Sequence, residues 1–348
     1  MALGTGSRTS VAIIGAGTQG CRLAYMWSST GYDVHLVDAQ ASQLEGSHKV
    51  IEGFRSAASR KPRRWGEVIT HFPKDLSAAL QTAWLVVECV PEQLQLKRKV
   101  ITELDSLAAD EVIIASNSSS YTCSEILETL TLKNERRFLS AHSYWPPETP
   151  ELEVMGHETT DPSCITLVLD RSKAHGFLPF HVKTPSMGYL YNRIWAAIKR
   201  EALLAASEGV ATPEEIDAIF KGVLKTPKGP FELMDVVGLD VVLDIEQHYA
   251  DARGNIPSEP REYLQSLLRS GRLGVKKCQI AGTSSEPRTT RSHSGRAAQR
   301  WGLVTTRSTT LRMRDAVDRI CSSRALDSSR KMATDDMTEL ADETTDAG

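Results

Sequence analysis

Two textures of apolar and polar positions divide the first 280 or so residues of the chain. In the first, short and nearly continuous apolar runs alternate with amphipathic stretches. "SVAIIGAG" reads as a buried strand stopped by glycine, "TQGCRLAYMWSSTG" as a helix ending at Gly31, and "YDVHLVD", Tyr32 to Asp38, as a second strand. Strand, helix and strand within about 30 residues make a βαβ unit with parallel strands. "QLEGSHKVIEGFRSAASR" predicts a further helix. "AWLVVECV" and "EVIIAS" predict two more strands, with the helix "EQLQLKRKVITELDSLA" between them. This alternation predicts an α/β fold with a doubly wound parallel sheet.

From about residue 185 the spacing becomes helical throughout. "YLYNRIWAAIKREALLAASEG" runs to Gly209, and "TPEEIDAIFKGVL" opens with Thr212, Pro213, Glu214 and Glu215, a cap, a proline and two first-turn acids. "LDVVLDIEQHYADAR" and "EYLQSLLRSG" are also helical. The expected domains are a sheet domain at 8–184 and an all-α domain at 185–282. A polar Ser/Thr/Arg-rich tail at 283–348 is expected to be disordered, with short helices near 310–322 and 332–342.

The first strand ends in Gly15-Ala-Gly17-Thr-Gln-Gly20. Alone, this spacing marks any tight turn. Here a strand precedes it, a helix follows it, and a second strand ends in the acid Asp38. Gly15 permits the turn, Gly17 permits close approach of a pyrophosphate, and Gly20 permits helix and strand to touch. Gly15, Gly17, Thr18, Gln19 and Gly20 would then form a dinucleotide cradle at a helix N-terminus. The Asp38 carboxylate would accept bonds from ribose hydroxyls and repel a 2′-phosphate, which favours NAD over NADP. The sheet domain is thus expected to be of Rossmann type.

Bulk properties narrow the partners. With 41% hydrophobic residues, 24% charged residues and a net charge of −3, the chain has a globular balance and no basic excess for nucleic acid or anionic membrane. No run of 18 apolar residues suggests a membrane span, and the polar leader is too short for a signal peptide. Cys21, Cys89, Cys123, Cys164, Cys278 and Cys321 show no CxxC spacing, so neither a disulfide framework nor a metal site is expected. A reduced, cytoplasmic setting follows as the expectation.

Five motifs make the reading specific: "VVECVPEQLQLK", "ASNSSSYTCSEI", "RRFLSAHSYWPPETPELEV", "MGYLYNRIWAAIKREAL" and "GPFELMDVVGLDVV". With them the chain resembles the 3-hydroxyacyl-CoA dehydrogenase family, including its L-gulonate 3-dehydrogenase and lambda-crystallin relatives, over residues 10–277. The resemblance implies NAD-dependent oxidation of a secondary alcohol to a ketone. It places the proton-accepting histidine at His142 and its orienting glutamate at Glu153, with Glu151 as the alternative because the spacing is one residue short. It implies that Ser119 and Asn192 bind the substrate's reacting oxygen, with Ser118 or Ser120 replacing Ser119 if the loop is shifted; "SSSYTCSEI" also reads as a helix cap. Glu92 and Lys97 match positions near the nicotinamide, although Lys97 also fits a charge on a helix surface. Arg60 and Lys61, with Arg63 and Arg64, lie where acyl-CoA members meet CoA phosphates, and Trp65 is placed to stack adenine. A solvated basic turn is the plainer alternative. The family usually forms homodimers through its helical domain.

Two departures qualify this resemblance. Trp145 replaces the asparagine usual after the histidine, where an indole would wall or narrow the nicotinamide pocket. After "GRLGVKK" the expected glycine-aromatic segment is replaced by "CQIAGTSSEPRTTRS", as an altered reading frame or a regulatory appendage would produce. A dehydrogenase for a 3-hydroxyacyl-CoA or related 3-hydroxy acid is the leading expectation. A free polyol-acid dehydrogenase and a non-catalytic NAD-binding relative are the alternatives.

Overall fold

Residues 8–59 and 62–274 are described by the structure, a computed structural model. The eight strands are β1 (Ser10–Ile14), β2 (Val34–Val37), β3 (Val68–His71), β4 (Ala83–Glu88), β5 (Ile113–Ser116), β6 (Phe138–Trp145), β7 (Thr149–Met155) and β8 (Leu178–Val182). They form one sheet in the order β3-β2-β1-β4-β5-β6-β7-β8. The strands from β3 to β6 in that order are parallel; β7 runs antiparallel to β6, and β8 runs parallel to β7.

Helices cover both faces, which is why the inner strands read as unbroken apolar runs. Val11 and Ile13 of β1 pack with α1 (Thr18–Trp27), α2 (Ala41–Ala57) and α6 (Pro162–Ala174). Ala12 and Ile14 face the opposite layer, with α3 (Leu76–Leu80), α4 (Leu94–Leu107) and α5 (Cys123–Leu127). The strand order reverses between β1 and β4, and in open α/β sheets ligands bind beyond the strand ends at such a point.

The sequence pattern did not reveal β3, the β6–β7 pair or β8. These strands are short, partly exposed, or mixed in polarity, so they carry a weak apolar signal. The first helix stops at Trp27; a 3₁₀ turn over Ser28–Thr30 then leads to Gly31 at φ +88°.

The helical part comprises α7 (Tyr191–Ser207), α8 (Pro213–Leu224), α9 (Pro230–Val237), α10 (Leu239–Arg253) and α11 (Glu259–Arg269). Helix α8 begins as its sequence predicts: Glu215 N–H donates to the Thr212 hydroxyl oxygen, and the Glu215 carboxylate accepts from Thr212 N–H. Leu203, Phe231, Met234, Val242 and Leu264 form the core of this part. The tail from residue 283, its two expected helices, and Cys278 and Cys321 lie outside the described residues.

Candidate active site

The glycine loop has the geometry of a phosphate cradle. Gly15 sits at φ +112°, and a Cβ there would lie 2.6 Å from the Cys89 carbonyl oxygen. A Cβ on Gly20 would stand 1.8 Å from the Gly15 carbonyl oxygen, so helix and loop touch backbone to backbone. A Cβ on Gly17, by contrast, would meet nothing within 4 Å. Gly17 is also the N-cap of α1 and brings no side-chain cap, so the first N–H groups of the helix face that open space. Asp38, at the end of β2, accepts from Ala16 N–H at 2.7 Å and Gln40 N–H at 2.8 Å. The carboxylate thereby braces the loop it was expected to complement. These features fit a dinucleotide.

Gln19, expected in the cofactor loop, commits its side chain to the neighbouring strand. Its amide donates to Ser143 Oγ at 2.6 Å and to the Tyr144 carbonyl at 2.7 Å, tying α1 to β6. Ser143 in turn donates its N–H and its hydroxyl to Asn117 Oδ1 at 2.8 and 2.9 Å, which ties β6 to the end of β5. Thr18 is exposed at the start of α1.

Lys97 is not a surface charge. Its ammonium lies 2.9 Å from Glu88, 3.0 Å from Glu92 and 3.2 Å from the Val90 carbonyl. Burial works against its charge, but the two carboxylates outweigh that and raise its pKa. Glu88 also accepts from Ser116 Oγ at 2.7 Å. Glu92 accepts from Ser118 Oγ at 2.5 Å and from Ser120 N–H at 2.9 Å. Burial would raise the pKa of Glu92; the Lys97 charge and these hydrogen bonds outweigh it and lower the value. The network fixes the loops after β4 and β5. Ser118 is therefore the engaged serine. Ser119 is exposed, with its hydroxyl unbound by any described residue.

His142 lies near the C-terminal end of β6, directly opposite Glu153 on β7. It is 5% exposed. The Tyr189 ring stacks on it at 4.8 Å and an 8° interplanar angle, and Tyr144 meets it edge-on at 4.7 Å. Nδ1 is buried with no hydrogen-bond partner. Burial holds the imidazole pKa down at about 4, with the Glu92 charge opposing in part. The expected His142–Glu153 hydrogen bond is not formed. Glu153 instead accepts the Tyr144 hydroxyl, Leu190 N–H at 2.5 Å and Tyr191 N–H at 3.2 Å. The N-terminus of α7 attracts the carboxylate, because its N–H groups have no helical partners. Glu151, the alternative, is half-buried two residues earlier on the same strand. Asn192 is the second residue of α7 and half-buried, with its amide likewise unbound by any described residue.

Tyr144, Tyr189, Glu88 and Asn117 belong to this cluster and were not singled out from the sequence. Glu88 carried a usable signal, as an acid closing an otherwise apolar strand. Tyr189 carried none: it sits at φ +55° in the segment before α7, and its hydroxyl reaches the Ser118 carbonyl at 2.7 Å only through the fold.

Trp145 is 56% exposed and points away from this group. Residues 142 and 144 share one face of β6, and 143 and 145 the other. The indole packs over the Arg22 guanidinium of α1 at 5.0 Å rather than against the histidine. Trp65 is not free to stack a ligand on both faces, since Tyr25 lies 5.1 Å away and the Arg55 guanidinium stands 5.1 Å from its ring. Arg63 and Arg64 are exposed, and Arg60 and Lys61 lie outside the described residues. No group of three or more metal-ligating side chains occurs among the described residues.

Comparison with known proteins agrees with the fold and the glycine loop. Residues 10–184 match the 3-hydroxyacyl-CoA dehydrogenase NAD binding domain, and residues 188–281 match the C-terminal domain of the same family. The human mitochondrial hydroxyacyl-coenzyme A dehydrogenase is 32% identical over 281 residues, covering 76% of this chain and 88% of that protein. A 3-hydroxybutyryl-CoA dehydrogenase from Clostridioides difficile is 28% identical over 273 residues, covering 76% of this chain and 96% of its own. The solved (S)-3-hydroxybutyryl-CoA dehydrogenase from Ralstonia eutropha superposes with a TM-score of 0.68 at 26% identity, covering 78% of this chain and 97% of that one. The chain belongs to the 3-hydroxyacyl-CoA dehydrogenase family and is an NAD-dependent oxidoreductase of that family.

Proposed function

We propose that the protein oxidises the secondary alcohol of a 3-hydroxyacyl-CoA, or a related 3-hydroxy acid, to the 3-keto product. The observation that carries this reading is His142: a neutral imidazole, buried between two tyrosine rings and set opposite a carboxylate on the neighbouring strand. The Gly15–Gly20 loop and Asp38 would hold NAD, which would supply the hydride acceptor for the carbinol carbon. His142 accepts the hydroxyl proton, and Glu153, opposite it on β7, orients the imidazole and stabilises the imidazolium once its carboxylate turns from Tyr144 to Nδ1. The unengaged Ser119 hydroxyl and Asn192 amide hold the reacting oxygen, stabilising charge without competing for the proton. Glu92 and Lys97 shape the nicotinamide end, with Lys97 acting through Glu88 and Glu92. Arg60 and Lys61, with Arg63 and Arg64, are the side chains for CoA phosphates.

The engagement of Trp65 by Tyr25 and Arg55 favours a second reading, in which the substrate is a free hydroxy acid of the gulonate type and the basic turn is solvated. An NADH absorbance assay with 3-hydroxybutyryl-CoA, free 3-hydroxybutyrate and L-gulonate separates the two, with His142→Ala run alongside. Turnover of the CoA ester that vanishes in the variant supports the first reading. Turnover of a free acid alone supports the second. NAD binding without turnover of any of the three counts against both.

The helical part also supports a homodimer. Ile219 and Val223 stand one turn apart on α8 and are exposed, as are Val236 and Val237 of α9 and Val241 of α10. Exposed apolar side chains in this number suit a partner surface. A cytoplasmic setting completes the proposal. The four described cysteines are free, and no helix among the described residues is long and apolar enough to cross a membrane.

A further inference from the structure

Glu153 is 2% exposed, and three protein donors meet its carboxylate. Two are backbone N–H groups at the start of α7, which any residue there would supply. The third, the Tyr144 hydroxyl, depends on the side chain. It takes Oε1 of Glu153 while the tyrosine ring lies edge-on against His142. The consequence appears across the strand pair, where His142 Nδ1 is buried without a partner. A buried polar atom left in that state is unfavourable, so a carboxylate brought to it would find a ready donor.

The titratable groups facing the imidazole are few. Glu153 comes from β7, Tyr144 from β6 and Tyr189 from the segment before α7. Glu92 comes from the loop after β4, where Lys97 of α4 holds it. Tyr189 directs its hydroxyl to the Ser118 carbonyl, and Glu92 is engaged by Lys97, Ser118 and Ser120. Tyr144 and Glu153 are the pair whose bond can be exchanged for one to Nδ1.

Resting on the reading of His142 as the base, we propose that Tyr144 is a positioning residue whose hydroxyl competes with His142 Nδ1–H for the Glu153 carboxylate. With the phenol bound, His142 works as a lone neutral imidazole. With the phenol released, Glu153 accepts Nδ1–H and the imidazole becomes the stronger base. The proton that moves in the reaction is the substrate's. Tyr144 keeps its own throughout, since burial and then Glu153 push its pKa up.

The test is an NMR titration of the full chain labelled with ¹⁵N-histidine, with the His142 signals assigned by their loss in His142→Gln. Tyr144→Phe removes one oxygen and keeps the ring. The expected result is a rise in the His142 midpoint of about one unit or more, a tenfold gain in proton affinity. Adding Glu153→Gln to Tyr144→Phe should abolish the gain, and the acid limb of kcat/KM should move with the midpoint. At neutral pH, where folding is not in question, a downfield Nδ1–H resonance should appear in Tyr144→Phe alone. An unmoved midpoint with no new resonance overturns the proposal. So does an equal effect of Glu153→Gln in both backgrounds, because Glu153 would then serve His142 with Tyr144 in place. The titration reads the imidazole without turnover. A His142→Ala protein that still turns over would instead remove the base assignment.

Discussion

Lys97 and Glu88 form an ion pair sealed from water: Nζ lies 2.9 Å from Oε1, and the side chains are 1% and 0% exposed. Such a pair need not be stronger than an apolar replacement, but losing one member strands a buried charge. Lys97→Met should therefore cost about 3–5 kcal/mol in chemical denaturation. It should also loosen the loops after β4 and β5, because Glu92, Ser118 and Ser120 share the network. A loss under about 1 kcal/mol would place the pair in solvent.

Two of the loop glycines, Gly17 and Gly20, should separate on substitution. Gly17→Ala adds a methyl to open space and should keep stability within about 1 kcal/mol. That methyl takes the room a pyrophosphate needs, so NAD affinity should fall at least about tenfold, or 1.4 kcal/mol. Gly20→Ala drives Cβ into the Gly15 carbonyl and should fail to give folded protein. Calorimetric titration and thermal melts check both; NAD binding unchanged in Gly17→Ala would argue against the cradle.

Asp38 has two tasks, bracing Ala16 N–H and selecting the cofactor. Asp38→Ser should weaken NAD by about 1–3 kcal/mol, the usual range for hydrogen bonds to a charged group. It should weaken NADP less, because the carboxylate that repels the 2′-phosphate is gone. The quantity to compare is the NAD to NADP ratio of Kd values in parent and variant. An unchanged ratio would leave Asp38 with the bracing task alone.

Acid should destabilise the fold through its buried histidines. His142 and His175 each have a pKa of about 4 in place of 6.5, lowered first by burial. Because these values lie below the unfolded one, the unfolded chain binds the extra protons between pH 6.5 and 4. The stability they contribute is full above 6.5 and falls as pH drops toward 4, by up to about 3 kcal/mol for each residue. Urea midpoints at neutral pH and near pH 5 should differ clearly in the parent. A His142→Asn, His175→Asn variant should show a flatter profile, and an equally steep one would assign the acid sensitivity to other groups.

The homodimer is tested on α8. Ile219→Glu with Val223→Glu places two acids on one exposed apolar stripe. If that stripe pairs with a second copy, sedimentation should show a monomer in the variant and a dimer in the parent. Equal masses would remove α8 from any interface.

The sequence by itself determined the architecture of the site's nucleotide half. The glycine spacing, the apolar runs of β1, β2, β4 and β5, and the acid after β2 are local patterns. Each constrains a backbone conformation or a periodicity that neighbouring residues already express. His142 and Glu153 were legible only through resemblance, yet the β6–β7 register does place them opposite one another. What tertiary structure alone decided is which partner each polar group takes. Burial of Lys97 depends on Glu88, contributed by another element. Gln19 turns to β6 because Ser143 and Tyr144 present acceptors there. Glu153 goes to Tyr144 and the α7 N-terminus, which lies 37 residues further along the chain. Trp145 is sent to the α1 face by strand alternation once β6 is in place. Hydrogen bonds are satisfied in three dimensions among competing donors, and no periodicity along the chain encodes which donor wins.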